Sequence, residues 1–262
     1  MLFLPGAPPS TILTNGLALV APNHALQPLE NRPAAGAQYS GYRIPLLTMD
    51  EDGETVDTLA WEEQFWTVFG MARGAQVFGI AVPFQRRTHT AAMPSGGGVV
   101  LVREEDPAGP AVLVTRIGPT ADTVFARTYP YTPTPHTDAL VRRALREAPV
   151  FRTPGGAPAT EDDRAPDGAE FEGPLRRSGV IPANLPGVTG LAVGQDDSIW
   201  LRREEREGDS VDWTVLDGMG QVLGVVTLPR AQEVVAARGT VMAAVEEDEL
   251  GRVTLVRYRV GW

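Results

Sequence analysis

The stretch 191–204, LAVGQDDSIWLRRE, carries the pattern that decides the fold: a short apolar strand, a polar turn and a second apolar strand. The same plan occurs in three other segments, TILTNGLALVAP (11–22), AAMPSGGGVVLVRE (91–104) and VVAARGTVMAAVE (234–246). Apolar runs on both sides of a turn that contains Gly, Asp or Asn are typical of β-hairpins. The sequence therefore predicts one hairpin that recurs along the chain.

A second paired element follows each hairpin, at 42–60, 111–126, 212–229 and 254–260. Four strands in each unit, with the unit repeated, are typical of β-propeller blades. We therefore predict an all-β fold, a single β-propeller domain over 1–262 made of four-stranded antiparallel blades. The approximate blades are 10–61, 62–135, 188–230 and 231–262, with an insertion at 136–187.

The last predicted blade has only three strands, and about four blades are present. Ring closure by an N-terminal strand would protect the open sheet edge, but residues 1–4 (MLFL) are a poor closing strand. Either the chain is the C-terminal portion of a longer propeller, which we favour, or it forms an open arc or a small ring.

Composition excludes several classes of protein. The net charge of −10 disfavours a nucleic-acid partner, because binding to phosphates needs clustered cations. Cysteine is absent, so disulfides and thiol ligands are excluded. No signal peptide is recognisable at the N-terminus, and no apolar run is long enough to predict a membrane span.

The Phe and Trp residues of the stretch 61–87, which include Phe65, Trp66, Phe69 and Phe78, are predicted to be buried rather than to form a ligand platform.

The insertion interrupts the β pattern. Residues 129–136 (YPYTPTPH) are predicted to be extended, because a residue that precedes proline avoids the α region. A helix is predicted next, with Thr137 or Asp138 as N-cap, an apolar stripe through Val141 and Leu145, and its end at Pro149. From Arg152 to about Gly173 the composition predicts a mobile loop.

Insertions project from a propeller face, where function is usually located. The possible partner-binding surface therefore consists of Tyr129, Tyr131, His136, Arg142 and Arg143. The predicted partner is a protein, a peptide or a glycan.

No catalytic, cofactor-binding or metal-binding residues are predicted. His24, His89 and His136 lie on three separate segments, without the spacing of metal ligands. No nucleophile elbow, phosphate-binding loop or zinc-protease motif occurs. The acidic turns, such as Asp196-Asp197, are predicted to cap their own backbone rather than to bind calcium.

Three motifs in the C-terminal region carry a resemblance to a known family: DDSIWLRR (196–203), WTVLDGMGQVLGVVTLP (213–229) and EDELGRVTLVRYRV (247–260). The chain resembles bacterial six-bladed β-propellers of the NHL/TolB-like kind from Gly190 onwards, and less closely over 40–135. The resemblance implies six blades where about four are present, so the favoured interpretation is the C-terminal portion of a longer six-bladed protein. It also implies a periplasmic or extracellular protein of the bacterial envelope, and it carries over no catalytic motif.

Three hypotheses follow, of which the first is preferred. The chain is a non-catalytic propeller that binds a partner or acts as a scaffold. Alternatively, it is a calcium-dependent hydrolase of the lactonase or esterase type, with Asn15, Asp196 and Asp197 pointing into a central channel. The third hypothesis is a truncated, inactive propeller fragment.

Overall fold

The computed structural model describes residues 11–12, 18–19, 36–49, 55–73, 76–96, 98–105, 109–152, 165–203, 208–248 and 250–261. Antiparallel sheets dominate this part of the chain, which confirms the all-β class. Near the N-terminus, strands β1 (Thr11–Ile12) and β2 (Ala18–Leu19) pair with each other. Four larger sheets follow along the chain.

The first sheet is built around a long hairpin of strands β3 (Gly36–Met49) and β4 (Thr55–Arg73). Strand β5 (Gln76–Ala81) pairs with β4, and β10 (Val150–Arg152) pairs with β5. The strand order is therefore β10-β5-β4-β3. Strand β4 runs without interruption through residues 61 and 62, where the sequence placed a boundary between the first two units.

The second and third sheets are four-stranded meanders in which strand order equals chain order. The second contains β6 (His89–Ala92), β7 (Val99–Glu105), β8 (Ala111–Ile117) and β9 (Thr123–Pro130). The third contains β11 (Gly190–Val193), β12 (Ile199–Arg203), β13 (Ser210–Leu216) and β14 (Val222–Pro229). The hairpins β6–β7 and β11–β12 confirm the predictions at 91–104 and 191–204.

The fourth sheet has three strands, β15 (Gln232–Arg238), β16 (Val241–Glu247) and β17 (Val253–Arg259). Strand β11 contacts both β6 and β15, so the first strands of the last three sheets are neighbours. Among the described residues the sheets do not close into a ring.

Neighbouring sheets pack face to face in chain order. The third sheet is covered on both faces, by the second sheet and by the fourth, and both of its faces are apolar. Ile199 and Leu201 pack against the second sheet, whereas Trp200, which lies between them in β12, packs against the fourth. Successive side chains of a strand point to opposite faces, so an uninterrupted apolar run is needed where both faces are covered. Trp200 and Trp213 are each only 1% exposed.

Two helices cover the first sheet. Helix α1 (Asp138–Glu147) begins after the N-cap Thr137 and buries Val141 and Leu145, which confirms the predicted helix. A 3₁₀ turn (Gly168–Phe171) and helix α2 (Glu172–Ser178) follow. The prediction of a loop to Gly173 is therefore wrong for residues 168–173. Residues 153–164 of that prediction lie outside the described part of the chain.

The helices and the first sheet share one core, in which Phe69, Phe78 and Ile80 pack against Phe171 and Leu175. The predicted burial of the aromatic stretch is thus confirmed for Phe69 and Phe78. Trp61 is 50% exposed and is an exception, because it lies over a cavity between two sheets. The side chains of Phe65 and Trp66 lie outside the described residues. Neither helix is long and apolar enough to cross a membrane, within the part of the chain that is described.

Candidate binding pocket

A cavity of about 320 Å³ lies where the chain leaves the second sheet and returns towards the third. We call it the proline pocket, because prolines contribute more of its wall than any other residue type. Its lining consists of Phe84, Arg86, Glu104, Pro110, Tyr131, Pro133, Pro182, Ala183, Asn184, Leu185 and Pro186.

Two proline-containing segments form the pocket wall because they run antiparallel to each other. Pro135 and Asn184 form an isolated β-bridge, and the Leu185 N–H donates to the Thr134 carbonyl at 2.8 Å. Proline fixes its own φ and keeps the preceding residue extended, so both segments are stiff. The pocket therefore has a preformed wall. The extended conformation predicted for 129–136 is confirmed at Tyr129 and Pro130, the last residues of β9, and at Pro135, which forms the bridge.

Glu104 is the buried charge of the pocket, with a side chain only 3% exposed. Its carboxylate lies 3.0 Å from Arg86 Nε and accepts hydrogen bonds from Tyr131 Oη at 2.9 Å and from the Gly187 N–H at 2.6 Å. A buried carboxylate is costly unless it is paired and hydrogen-bonded, and here three donors satisfy it. Glu104 thus joins the β7 strand to both proline segments.

Tyr131 has two close neighbours besides Glu104. The guanidinium carbon of Arg203 lies 5.5 Å from the centre of its ring, within the range of a cation–π interaction. A Cβ placed on Gly187 would lie 2.6 Å from the ring, so only glycine permits this approach. The orientation of the tyrosine in the pocket is therefore fixed by packing as well as by Glu104.

Phe84 is supported from behind by His136. The two rings stack with their centres 5.2 Å apart, and His136 Nε2 lies 2.6 Å from the Pro182 carbonyl oxygen. Phe84 also has a positive φ of 60°, an unusual conformation for a non-glycine residue. Phe84 lines the pocket, and its stacking contact with His136 helps to hold this strained conformation.

Of the five residues predicted as a partner surface, the structure brings Tyr131 and His136 together at the proline pocket. Tyr129 instead donates to the carbonyl of Gly220 in the third sheet, and burial raises the pKa of its phenol. Arg142 and Arg143 lie on the exposed side of α1, in ion pairs with Glu172 and Glu147. These three residues lie outside the pocket lining.

His89 contacts the chain just after the second proline segment, at Val188. Its Nε2 is 3.2 Å from the Val188 carbonyl oxygen. Burial lowers the pKa of His89 below the ordinary value of 6.5, although the carbonyl and Glu104 act in the opposite direction. His89 is therefore favoured as a neutral imidazole in the folded chain.

The acidic turn Asp196-Asp197 serves as a junction between sheets. Asp197 accepts hydrogen bonds from Arg116 and Ser95 of the second sheet, at 3.0 and 2.8 Å. Asp196 accepts from Ser198 Oγ at 2.7 Å and from the Gly239 N–H of the fourth sheet at 2.6 Å. Partial burial acts to raise the pKa of Asp196, but these hydrogen bonds together lower it below its ordinary value.

No family model, curated protein or solved structure matches this chain. The resemblance to NHL/TolB-like propellers remains a prediction. Asn15, the third residue of the hydrolase hypothesis, lies outside the described residues. Within the described ranges, no cluster of three or more His, Asp or Glu residues could hold a metal ion.

A second cavity, of about 230 Å³, lies between the first and second sheets. It is lined by the exposed ring of Trp61 together with Glu63, Thr88, Leu101, Arg103 and Thr115. Arg103 pairs with Glu105 at 3.0 Å. The cavity combines an aromatic ring with charged and hydroxyl side chains, and it was not predicted from the sequence.

Four lining residues of the proline pocket were not predicted from the sequence: Phe84, Arg86, Glu104 and Asn184. The available signal was the similarity of two segments, YPYTPTPH (129–136) and IPANLPG (181–187), each with prolines at short intervals. Only one of the two was singled out. Their pairing joins residues about fifty positions apart, and a local pattern does not predict such pairing.

Proposed function

We propose that this chain is a non-catalytic β-propeller binding scaffold of the bacterial envelope, and that its ligand occupies the proline pocket. Three- and four-stranded antiparallel sheets that pack face to face in chain order support the propeller assignment. So does the contact of β11 with β6 and β15, because the first strands of neighbouring blades lie side by side around a propeller axis. The envelope location rests on the resemblance alone.

The observation that carries the binding function is the stiff, aromatic and proline-lined wall of the pocket. Ligand sites are largely preformed and mostly apolar, with a few placed polar groups. Phe84 and Tyr131 supply the aromatic surface, and Asn184 supplies an amide. Grooves lined by aromatic residues recognise extended, proline-rich peptides in several domain families. We therefore propose an extended peptide segment as the ligand.

Glu104 contributes to this site by holding the wall rather than by chemistry on a substrate. Its carboxylate is already engaged by Arg86, Tyr131 and Gly187. A general acid or base needs a proton-transfer contact with the substrate, and this buried group is 3% exposed. The pocket geometry favours binding over catalysis.

A glycan is the second candidate ligand, and the cavity beside Trp61 favours it. A half-exposed tryptophan ring next to Glu63 and Arg103 offers an apolar face with polar neighbours. The two candidates use different cavities, so substitutions separate them.

The calcium-dependent hydrolase finds no support in the described residues. Asp196 and Asp197 direct their carboxylates to Ser198, Gly239, Ser95 and Arg116, contacts that hold adjacent sheets together. A channel metal would have to compete with these hydrogen bonds for both oxygens of Asp196 and for Oδ2 of Asp197.

The test uses the full chain and a random-peptide display library, followed by affinity measurement on enriched peptides. Ala183→Trp fills the proline pocket from an exposed lining position. Ala139→Trp, at an exposed position of α1 outside the lining, is the matched control. We expect Ala183→Trp to weaken peptide binding by about tenfold or more, which corresponds to at least ~1.4 kcal/mol, and Ala139→Trp to leave it unchanged.

Two outcomes oppose the proposal: no peptide is enriched, or enriched peptides bind Ala183→Trp as tightly as the parent chain. A glycan array with Trp61→Ala in parallel tests the second candidate. If glycan binding is lost in Trp61→Ala and kept in Ala183→Trp, the ligand site is the second cavity and not the proline pocket.

A further inference from the structure

The fourth sheet is one strand narrower than the second and third. In those sheets a fourth strand pairs with the outer edge of the third strand, β9 with β8 and β14 with β13. The third strand of the fourth sheet is β17, and no described strand pairs with its outer edge. The two short strands near the N-terminus, β1 and β2, pair with each other.

The hydrogen-bond alternation shows which backbone groups lie on this outer edge. The Val260 N–H donates to the Thr240 carbonyl at 2.8 Å, and the Asp248 N–H donates to the Arg252 carbonyl at 3.0 Å. Both pairs belong to the same antiparallel register, in which hydrogen-bonded pairs recur at every second residue. The even-numbered residues of β17 therefore bond to β16. Its odd-numbered residues direct their N–H and C=O groups to the outer edge.

The same odd-numbered residues carry two kinds of side chain. Val253 and Leu255 are 65% and 66% exposed, unusually high for large apolar side chains in a strand. Arg257 and Arg259 follow at the other end of the strand and are also exposed. Native edge strands are normally protected by charge, by bulges or by covering elements. Half of this edge is apolar, and the other half is basic in a chain of net charge −10.

We propose that the outer edge of β17 is a docking site for an extended, acidic peptide segment of a partner protein, which adds as the fourth strand of this sheet. Strand addition takes affinity from main-chain hydrogen bonds and specificity from alternate side chains. Apolar residues of the added strand lie opposite Val253 and Leu255. Carboxylates lie opposite Arg257 and Arg259, where opposite charges on paired strands are stabilising.

A second copy of this chain fits the edge less well. The sequence of β17, VTLVRYR, contains no acidic residue. Antiparallel pairing of two β17 strands would gather the arginines of both copies on shared faces without a carboxylate from either strand. Charge complementarity therefore favours an acidic partner. The proposal is independent of the proline pocket, which lies at the second sheet.

The probe is the blocked peptide Thr-Glu-Thr-Glu-Val-Val-Thr-Val, labelled with a fluorophore and titrated with the full chain. In antiparallel pairing it places its glutamates opposite Arg259 and Arg257 and its apolar residues opposite Leu255 and Val253. We expect saturable binding. Replacing both glutamates by lysine should weaken it by about tenfold or more. N-methylation at every second residue, starting at the first glutamate, should abolish binding, because those amides face β17.

The charge-swapped chain Arg257→Glu/Arg259→Glu distinguishes lost charge complementarity from unfolding. This variant should no longer bind the glutamate peptide but should bind the lysine peptide, whereas an unfolded chain would bind neither. Arg127→Glu, on the outer strand of the second sheet, is the control and should bind as the parent does.

Three results overturn the proposal: no saturable binding, equal binding of the N-methylated peptide, or no gain of the lysine peptide by a folded charge-swapped chain. Hydrogen exchange of the unliganded chain gives a fourth. If the amides of Leu255 and Arg257 are already protected as strongly as that of Val256, the edge is covered by the chain itself.

Discussion

Arg116 Nη2 donates to the Asp197 carboxylate at 3.0 Å, and this ion pair joins the second sheet to the hairpin turn of the third. Both side chains are largely buried, 14% and 17% exposed. Arg116 also donates to the Gly218 carbonyl at 2.6 Å. The turn at Asp196 and Asp197 therefore depends on contacts between sheets as well as on its own sequence.

We expect Arg116→Met to lower the free energy of unfolding by about 2–4 kcal/mol, because it leaves the Asp197 carboxylate without its cation. Urea denaturation of the full chain measures the change. The exposed i,i+4 pair of Arg143 and Glu147 provides the matched control, and Arg143→Met should cost less than about 0.5 kcal/mol.

A double-mutant cycle separates the ion pair from general damage to packing. Arg116→Met combined with Asp197→Asn should cost less than the sum of the two single substitutions, because the second substitution removes the unpaired charge. Additive costs would show that the two residues act independently and would contradict this account of the junction.

Gly98 is required by two separate constraints in the turn between β6 and β7. Its φ is +97°, and a Cβ at this position would overlap the carbonyl oxygen of Ile117. We expect Gly98→Ala to cost about 3 kcal/mol or more, since both the backbone and the neighbouring strand resist the methyl group.

Gly239 gives a direct comparison for that prediction. Its φ is also positive, +57°, but no atom lies within 4 Å of a Cβ built there. Gly239→Ala should cost only about 1 kcal/mol, the penalty of the left-handed conformation alone. Equal losses of thermal stability in the two variants would show that the contact with Ile117 is unimportant.

The turn chemistry of the hairpins could be predicted from the sequence, whereas the closure of the first sheet could not. The β6–β7 and β11–β12 turns use local signals, Gly98 and the Asp196-Asp197 pair. Strand β10 completes the first sheet by pairing with β5, about seventy residues earlier in the chain. No local signal specifies that pairing, because it depends on how α1 packs against the first sheet.

The candidate site was predictable only in part, for the same reason. Proline spacing predicted the extended segment that carries Tyr131. Glu104 looked like an ordinary strand residue, and its burial follows from contacts with Arg86 and Gly187 on separate segments. The acidic and glycine-rich composition predicts a loop before α2, whereas the capping sequence that starts at Asp167 indicates the turn that leads into this helix.

That capping sequence leads to a prediction about the 3₁₀ turn before α2. The Asp167 side chain accepts from the Ala169 N–H at 3.0 Å, and the Asp167 N–H donates to Glu170 Oε1 at 2.9 Å. Asp167→Ala should destabilise the chain by about 1 kcal/mol, and Asp167→Asn, which keeps a capping oxygen, by a few tenths. Equal thermal denaturation midpoints for the two variants would show that the cap has no role in stability.

The lowered pKa of His89 predicts a loss of stability at mildly acidic pH. Burial lowers its pKa in the folded chain below 6.5, so the unfolded chain binds a proton first as the pH falls. The stabilisation is complete above about pH 6.5 and is lost as the pH falls from there towards the folded-state pKa. The pKa values of Asp196 and Asp248 are also lowered in the folded chain. These carboxylates affect stability in a separate, more acidic range, as the pH falls from their ordinary pKa of 3.8.

Urea denaturation between pH 7 and pH 5 should show a falling free energy of unfolding in the parent chain. His89→Gln removes the titrating group and keeps a side chain that can donate to the Val188 carbonyl. Its stability should change less over this interval, even if its value at pH 7 is lower. A variant whose stability falls as steeply as that of the parent would assign the effect to another group.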